Sequence, residues 1–476
     1  NDSAWAFLKD NIPFFSCPDR EVETTYYFRW WTFRKHIKQT PAGFIITEFL
    51  PDVRWAGKYN AIACPAGNHF YEGRWLADNT YLNQYARYWF TEGNPRAYSF
   101  WAANALLEYY KVTGDSIPFT LLPELVENYR QWEKGWIGRG VFIGLNPDGL
   151  FSMKDTLAGM EFQIGGSGKR PTINSYMYGD AMAIARIAEM TGDTAIQQEF
   201  TAKAKAIKRL VETRLWDEDA TFFKTISDKT DSLGDVRELQ GYTPWYMNLP
   251  AASAGFERAW RFMLRDDGFR APYGPTTAEQ SHPWFQLSDK RGCMWDGRTW
   301  PFATAITLTA MANLLNNYHQ SIITPANYFD EFIKFSRSQR LTDENGRTVP
   351  WIDESQNPYT GDWMTRSFLK RKAETDNTEF IERGKDYNHS SYCDLLISGL
   401  MGIRPQDSDS LVINPLVPEG TWDWFCIDHV PYRGHYLTVL YDRYGTRYHL
   451  GKGMLVLVDN ELRSQTPTIM KVAVRL

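Results

Sequence analysis

The sequence has 476 residues, with 52 Lys and Arg against 57 Asp and Glu, and therefore a formal net charge of −5. Its hydrophobic share of 43% and charged share of 23% are typical of globular proteins, and this excludes a disordered chain. The acidic balance argues against nucleic-acid binding, and no apolar run approaches the roughly 20 residues of a membrane span. The length predicts one large domain plus a smaller one, or two to three ordinary domains.

Apolar residues at three- and four-residue steps predict that most of the first part of the chain is helical. The tripeptide Thr-Gly-Asp follows two of these segments, at 113–115 and 191–193. Glycine is the expected helix stop and aspartate can cap the next helix, so this recurrence predicts stacked helical hairpins. The predicted helices lie at 81–90, 98–110, 177–190, 256–264, 302–318, 328–335 and 390–401.

Long segments rich in Gly, Pro, Trp and polar residues separate the helices, at 51–75, 137–175, 266–301 and 343–363. Long loops in a compact domain are usually functional. Because they recur at one end of each hairpin, we expect them to converge on one site.

The pattern changes after residue 405, where short β-branched or apolar runs are separated by Gly, Asp and Asn. Residues 406–476 are therefore predicted to form a small antiparallel β domain packed on the helical one. The predicted strands lie at 410–415, 435–441, 454–458 and 468–476.

Aromatic residues make up 15% of the sequence and include 19 Trp. Most would fill the core, but such rings are also surfaces on which sugars stack. The five cysteines are scattered without a CxxC spacing, and the eight histidines include no HExxH pair. The sequence therefore predicts no disulfide framework, no metal site and no cofactor.

Four segments, in this order along the chain, resemble motifs of the six-hairpin glycoside hydrolases, which include glucosidase I-like enzymes, trehalases and mannosylglycerate hydrolase-like enzymes. Residues 159–162 (GMEF) lie where those enzymes carry a G-x-D-N-S loop. Residues 294–301 (MWDGRTWP) resemble their Y-W-R-G-P-x-W-P motif, and 351–361 (WIDESQNPYTG) resembles a Glu followed by D-P-x-T-G. Residues 387–400 (YNHSSYCDLLISGL) resemble the opening of the last inner helix.

This resemblance, which covers roughly residues 20–405, implies a mainly α fold. We expect an (α/α)6 toroid as the catalytic domain over residues 1–405, followed by the small antiparallel β domain at 406–476. The resemblance also assigns roles: Glu161 lies at the position of the family's general acid, and Glu354 matches its general base. Asp155, in the same loop as Glu161, is the alternative acid.

These roles fit the chemistry of glycoside cleavage. One carboxyl group must protonate the leaving oxygen, and a second must activate water or attack directly. In inverting enzymes the two carboxyl groups lie ~6.5–9.5 Å apart, which leaves room for the water. Burial and nearby negative charge would keep the acid protonated. Asp353 adjoins Glu354, but neighbours in an extended segment face opposite ways, so only one of them can enter the site.

Other residues of these segments are predicted to contact the sugar. Tryptophan rings can stack on it, and arginines can bind its hydroxyl groups or form structural ion pairs. The predicted contacts are Glu72, Arg74, Trp75, Asn174, Trp295, Arg298, Trp300 and His389, and Glu279 and His282 are candidates for the rim of the site.

The resemblance thus implies a glycosidase that cleaves an α-linked bond of an oligosaccharide with inversion. Two alternatives stay open, a carbohydrate-binding protein that has lost catalysis and a polysaccharide lyase. The first residues lack the charged and apolar regions of a signal peptide. The protein is then either cytoplasmic or one whose signal peptide has been removed. We expect the second, a periplasmic or secreted bacterial protein, with a cytoplasmic location as the alternative.

Overall fold

Helices dominate the larger part of the computed structural model, which describes residues 2–252, 254–288, 290–376 and 380–476. The α-helices are α1 (Asp2–Asn11), α2 (Arg20–His36), α3 (Ala66–Gly73), α4 (Thr80–Thr91), α5 (Ala102–Thr113), α6 (Ile117–Thr120), α7 (Leu122–Lys134), α8 (Pro171–Thr191), α9 (Thr194–Leu210), α10 (Thr243–Tyr246), α11 (Pro301–Asn317), α12 (Pro325–Ser338) and α13 (Met364–Ala373). Short 3₁₀ segments lie at Lys58–Asn60, Asp155–Leu157, Leu239–Tyr242, Phe256–Leu264 and Ile381–Gly384, and π-helical segments at Val211–Leu215 and Leu395–Leu400.

The strands are short in the helical part of the chain and longer after residue 403. They are β1 (Phe14–Ser16), β2 (Ile37–Thr40), β3 (Gly43–Ile46), β4 (Trp136–Gly138), β5 (Val141–Leu145), β6 (Phe151–Ser152), β7 (Gly168–Lys169), β8 (Trp216–Asp217), β9 (Phe222–Phe223), β10 (Ile226–Ser227), β11 (Arg340–Thr342), β12 (Thr348–Pro350), β13 (Ile403–Arg404), β14 (Ser410–Ile413), β15 (Trp424–Tyr432), β16 (His435–Asp442), β17 (Gly453–Val458), β18 (Glu461–Thr466) and β19 (Val472–Arg475).

Both predicted Thr-Gly-Asp helix ends are confirmed. Gly114 follows α5 with φ 70°, and Gly192 follows α8 with φ 80°. These are left-handed conformations that a residue with a Cβ adopts only at a cost, which is why glycine ends both helices. The Asp193 side chain then accepts the backbone N–H of Ile196 at 3.0 Å and caps α9, so α8 and α9 form a tight hairpin.

Six helical segments pack against one another in chain order. Helix α3 contacts α5, α5 contacts α8, α8 contacts α10, α10 contacts α11, and α11 contacts the segment Leu395–Leu400. Glu72, near the end of α3, closes the series because its carboxylate accepts the backbone N–H groups of residues 392–394 at 2.9–3.1 Å. In the described part of the chain, no helix is both long and apolar enough to cross a bilayer.

The C-terminal part forms antiparallel sheets, as predicted. Strands β15 to β18 pair in order, and β1 adds to β15, so both ends of the chain contribute to one five-stranded sheet. Strands β13, β14 and β19 form a second sheet. The sequence did not predict β15, which contains Pro431, or β18, an exposed edge strand without an apolar face.

Helix α3 lies inside a segment that the sequence predicted to be a loop. All eight of its residues are buried. A Cβ at Gly67 would lie 2.1 Å from an atom of the Trp101 ring, so this glycine allows close packing rather than a turn. Gly and polar residues indicate a loop by their local preferences. The prediction is wrong here because the contacts that bury these residues come from distant parts of the chain.

Candidate active site

A cavity of about 340 Å³ opens among the loops of the helical part of the chain. Segments before α3, α8, α11 and Leu395–Leu400 all contribute to it, so the predicted convergence of loops at one end of the helices is confirmed. The lining side chains include the carboxyl groups of Glu48, Glu161 and Glu354, the guanidinium groups of Arg139 and Arg383, the thiols of Cys64 and Cys293, and the rings of Phe49, Trp55, Tyr98, Trp300, Phe368, Tyr387 and His389.

Glu161 lies in the loop between Asp155–Leu157 and β7. Its carboxyl oxygen Oε2 accepts a hydrogen bond from the Cys293 thiol at 2.8 Å. Burial raises the pKa of Glu161, the Cys293 hydrogen bond opposes that rise, and the negative charges of Asp155 and Glu354 add to it. Glu161 is therefore a carboxyl group whose environment favours the protonated form.

Glu354 follows β12 and is 4% exposed. The Nε and Nη2 atoms of Arg383 lie 3.0 and 2.7 Å from its Oε1. Its neighbour Asp353 does not line the cavity and instead accepts the backbone N–H of Glu354 at 2.8 Å. Burial, followed by the charge of Glu354, raises the pKa of Asp353 to about 7. A Cβ at Gly384 would lie 1.9 Å from Asp353, so this glycine allows the segment with Arg383 to approach the segment with Glu354.

Glu48 supplies a third carboxyl group, which the sequence did not single out. It accepts the Tyr387 hydroxyl at 2.5 Å, and its Oε1 lies 3.6 Å from Nε2 of His389. Burial raises the pKa of Glu48 to about 8, although the Tyr387 hydrogen bond opposes this. Burial also lowers the pKa of His389 to about 3. Glu48, Tyr387 and His389 together form one wall of the cavity. Near pH 7 this wall therefore presents three neutral polar groups.

Cys64 lies beside the same wall, with its Sγ 3.7 Å from Nε2 of His389. The other ring nitrogen of His389, Nδ1, is buried and has no hydrogen-bond partner among the described residues. Within the described ranges, no three His, Cys, Asp or Glu side chains are grouped so that they could hold a metal ion.

The tryptophan motif before α11 has one member in the cavity. Trp300 lines it, and its ring lies edge-on to His389 with centroids 6.3 Å apart. Trp295 stacks behind Trp300, with ring centroids 4.7 Å apart and planes 11° apart, and does not line the cavity. Arg298 is fully buried and donates to the carbonyl groups of Ser288, Arg291 and Gly292, so it holds the loop rather than lining the cavity.

The predicted contacts in and after α3 lie away from the cavity. Arg74 donates to Oδ1 of Asp394 at 2.7 and 3.0 Å and to Oε2 of Glu108 at 3.2 Å. The Trp75 ring nitrogen donates to the same oxygen of Asp394 at 2.7 Å. With Glu72 bonded to the backbone of 392–394, all three side chains connect α3 and the residues that follow it to the start of the segment Leu395–Leu400. Their carboxylate, guanidinium and indole groups are thus engaged in contacts that stabilise the fold.

The remaining predicted residues also lie outside the cavity. Asn174 is fully buried and bonds the backbone of Phe151 and Arg170. Asp155 accepts the backbone N–H groups of Thr156 at 2.8 Å and of Phe162 at 3.3 Å, which organises the loop that carries Glu161. Because both carboxyl oxygens of Asp155 serve this loop, its side chain does not reach the cavity.

The two candidates for the rim bond to the segment that precedes Leu239–Tyr242. Glu279 forms an ion pair with Arg237 at 2.6 Å. His282 lies 3.4 Å from a carboxyl oxygen of Asp235. Neither Glu279 nor His282 lines the cavity that contains Glu161.

Several cavity residues carried weak or no sequence signals. Cys293 immediately precedes the tryptophan motif, and Tyr387 opens the last motif, so both stood next to recognised patterns. Glu48 and Arg383 belong to no motif. They could be found only through the contacts that join them to Tyr387 and Glu354.

Packed helices whose loops bring several carboxyl groups into one cavity are the arrangement of a helical glycoside hydrolase domain. Residues 58–390 match the family described as the mannosylglycerate hydrolase MGH1-like glycoside hydrolase domain. This match covers more than half of the sequence, and the chain belongs to that family. Residues 403–462 match the C-terminal domain of glycosyl hydrolase family 65, in the strand-rich part of the chain.

Solved structures are similar to this one over most of its length. One, described as a sialidase, is 40% identical with a TM-score of 0.91, and the match covers 99% of this chain but 42% of that one. This chain therefore spans about two-fifths of that relative's length. A GH63 mannosylglycerate hydrolase from Thermus thermophilus, in complex with Tris, is 11% identical with a TM-score of 0.53, covering 73% of this chain and 100% of that one.

A GH78 rhamnosidase of Bacillus sp. GL1 is 12% identical with a TM-score of 0.57, and the match covers 96% of this chain and 42% of that one. At these identities the rhamnosidase and the mannosylglycerate hydrolase show a shared fold. They do not transfer a substrate.

Proposed function

We propose that this chain is a glycoside hydrolase that cleaves an α-linked bond of an oligosaccharide with inversion, with Glu161 as general acid and Glu354 as general base. The observation that supports it is the difference between two carboxyl groups in one cavity. Glu161 is hydrogen-bonded by a thiol and its pKa is raised by burial. Glu354 is ion-paired with Arg383. An acid needs the first environment and a base needs the second.

In this mechanism Glu161 gives its proton to the glycosidic oxygen as the bond to the anomeric carbon breaks. Glu354 takes a proton from the water that attacks the same carbon from the opposite face. Arg383 stays ion-paired with Glu354 and fixes its orientation. No covalent bond forms between sugar and protein, so fluoroglycosides that trap such intermediates should leave both glutamates unlabelled.

The wall formed by Glu48, Tyr387 and His389 would bind the sugar. In their neutral forms these groups can both donate and accept hydrogen bonds, which suits sugar hydroxyl groups. Phe49 and Trp55 provide apolar faces on which the C–H side of the ring could rest. The volume of the cavity suits a terminal sugar with part of its leaving group, so we propose that the enzyme acts at chain ends.

The experiment that tests this proposal is a panel of glycosides followed by NMR of the first-formed anomer. The panel should contain α-mannosides and α-rhamnosides because the similar structures include enzymes described by those sugars. It should also contain sialosides because the relative at 40% identity is described as a sialidase. Release of the opposite anomer supports inversion, and release of the same anomer contradicts it.

Two other functions are distinguished by the same panel. A carbohydrate-binding protein would bind sugars without turnover of any substrate. A polysaccharide lyase would release an unsaturated uronate, which absorbs in the ultraviolet. The cavity favours hydrolysis because it combines a protonatable and an ion-paired carboxyl group, the pair that this reaction requires.

We also propose that the helical part is an (α/α)6 toroid. The support is the succession of contacts from α3 through α5, α8, α10 and α11 to Leu395–Leu400. Glu72 links the last of these segments back to the first. Helices α9 and α12 pack on α8 and α11 as the second members of hairpins.

A further inference from the structure

The carboxyl group of Glu161 has one hydrogen-bonding side chain among the described residues, the thiol of Cys293. The Sγ–Oε2 distance is 2.8 Å, short for a sulfur donor. Burial raises the pKa of the Cys293 thiol well above its usual range, and the charge of Glu161 adds to this. The thiol therefore keeps its proton and acts as a donor rather than as a nucleophile.

The segment that carries Cys293 is held in place on both sides. Arg298 donates to the carbonyl groups of Gly292 at 2.5 Å and of Arg291 at 2.7 Å. The backbone N–H of Trp295 donates to the carbonyl oxygen of Glu161 at 3.0 Å. One segment thus contacts Glu161 at its backbone and at its carboxyl group. Such a double contact fixes the direction in which the carboxyl group points.

We propose that Cys293 is a positioning residue that holds Oε2 of Glu161 and leaves Oε1 to deliver the proton to the glycosidic oxygen. This inference rests on the proposed role of Glu161 as general acid. When the acid gives up its proton, the carboxylate that remains needs a donor in a site from which water is partly excluded. The S–H group supplies that donor.

Removing the thiol of Cys293 should change the pH dependence of the reaction. A donor to the ionised carboxylate lowers its pKa, so removing the thiol should raise it further. The titratable and charged groups around Glu161 are the thiols of Cys293 and Cys64, the carboxyl groups of Asp155, Glu354 and Glu48, the hydroxyl of Tyr98 and the guanidinium of Arg170. The hydrogen bond from Cys293 is the largest influence that lowers the pKa of Glu161, ahead of the backbone hydrogen bond of Glu161 itself. The alkaline limb of the kcat/KM profile, where the acid ionises, should therefore move to higher pH.

The test compares Cys293→Ala with Cys293→Ser. In the alanine variant we expect the alkaline limb to move up by about 0.5–1 pH unit. We also expect turnover of a sugar-leaving-group substrate to fall about threefold to tenfold, with a smaller loss on a dinitrophenyl glycoside. The serine hydroxyl is also a donor, so Cys293→Ser should restore the position of the limb. Equal losses in both variants with an unmoved limb would mean that Cys293 only fills space, and the proposal would be overturned.

Three controls separate this outcome from others. Cys64→Ala removes a thiol from the same cavity that is not bonded to Glu161, and should leave the limb in place. Cys426→Ala, in the C-terminal sheet, should match the wild type. Glu161→Gln must abolish the limb. If it does not, the acid assignment and this inference fail together, whereas an abolished limb with no effect of Cys293→Ala overturns the inference alone.

A spectroscopic measurement on the intact protein gives a second readout that does not depend on activity. The infrared S–H stretch of Cys293, identified as the difference between wild type and Cys293→Ser, should shift to lower frequency as Glu161 ionises. The Glu161→Gln variant should show no such titration. An S–H band that is independent of pH in the wild type contradicts the hydrogen bond.

Discussion

Arg383 donates twice to one oxygen of Glu354, from Nε at 3.0 Å and from Nη2 at 2.7 Å. Both bonds end on Oε1. The other oxygen, Oε2, has no hydrogen-bond partner among the described residues. A carboxylate anchored through one oxygen presents the other to water with a fixed orientation, as the proposed general base requires.

Glu354→Gln should lower turnover by about 10²–10⁴-fold and leave sugar binding nearly unchanged. The amide keeps the shape of the side chain but cannot take a proton from water. Steady-state kinetics and calorimetric binding of the product sugar measure the two effects. Glu199→Gln, at an exposed ion pair on α9, is the matched control. Turnover at the wild-type rate would exclude Glu354 from the mechanism.

Glu161→Gln should affect substrates according to their leaving groups. A sugar alcohol is a poor leaving group and needs the proton, whereas dinitrophenolate hardly does. The loss should therefore reach several orders of magnitude on the natural glycoside and be far smaller on the dinitrophenyl one. The alkaline limb of the pH profile should disappear. Equal losses on both substrates would identify Glu161 as a binding residue, and Asp155→Asn would be the next variant to compare.

Glu48→Gln should flatten the dependence of stability on pH. The Glu48 carboxyl keeps its proton up to a pKa of about 8 in the folded protein but ionises near 4.5 when unfolded. Between these values the folded state holds the extra proton, so its contribution to stability is lost as pH rises. Gln cannot ionise, and the melting temperature of the variant relative to the wild type should therefore rise from pH 5 to pH 8. Parallel curves for the two proteins would contradict the shift.

Arg74→Met should destabilise the protein by about 3–5 kcal/mol because it removes the ion pair of the buried carboxylate of Asp394, which keeps only neutral donors such as the Trp75 ring nitrogen. The kcat/KM of the folded enzyme should stay within about threefold of the wild type, since Arg74 lies outside the cavity. Urea unfolding and kinetics measure the two quantities. Arg130→Met, at an exposed ion pair, should cost at most about 1 kcal/mol.

A different result would assign Arg74 to the substrate. A tenfold higher KM with unchanged stability would require a direct contact between its guanidinium group and the sugar. If Arg74→Met does not fold, Arg74→Lys keeps the charge and allows the same comparison.

Local patterns predicted much of the fold because they act over a few residues. The glycine stops at 114 and 192 follow from backbone sterics alone, and both helix ends are as expected. Helix α3 was missed because its stability comes from contacts with Trp101 and with residues 392–394, which a local pattern does not contain. Tertiary packing overrode the local preference of its glycines.

The residues of the candidate site could likewise be predicted only in part from the sequence. Motif resemblance singled out Glu161, Glu354, Trp300 and His389, which line one cavity. It also singled out Arg74 and other polar residues that are buried in structural pairs, because a sequence does not tell an ion pair from a substrate contact. Glu48 and Arg383 stood in no motif, and only their spatial contacts relate them to the site.

The bond between Glu72 and the backbone of 392–394 has a consequence for how the chain is made. These groups are about 320 positions apart, so about 320 further residues must be synthesised before the carboxylate of Glu72 meets its donors. Until then the carboxylate of Glu72, which is buried in the folded protein, lacks its hydrogen-bond donors. The helices that are made first also lack their contacts with the segment Leu395–Leu400. Fragments that end before residue 390 should therefore need chaperones or aggregate, and the series of contacts between the helices is completed only after residue 394 has been made.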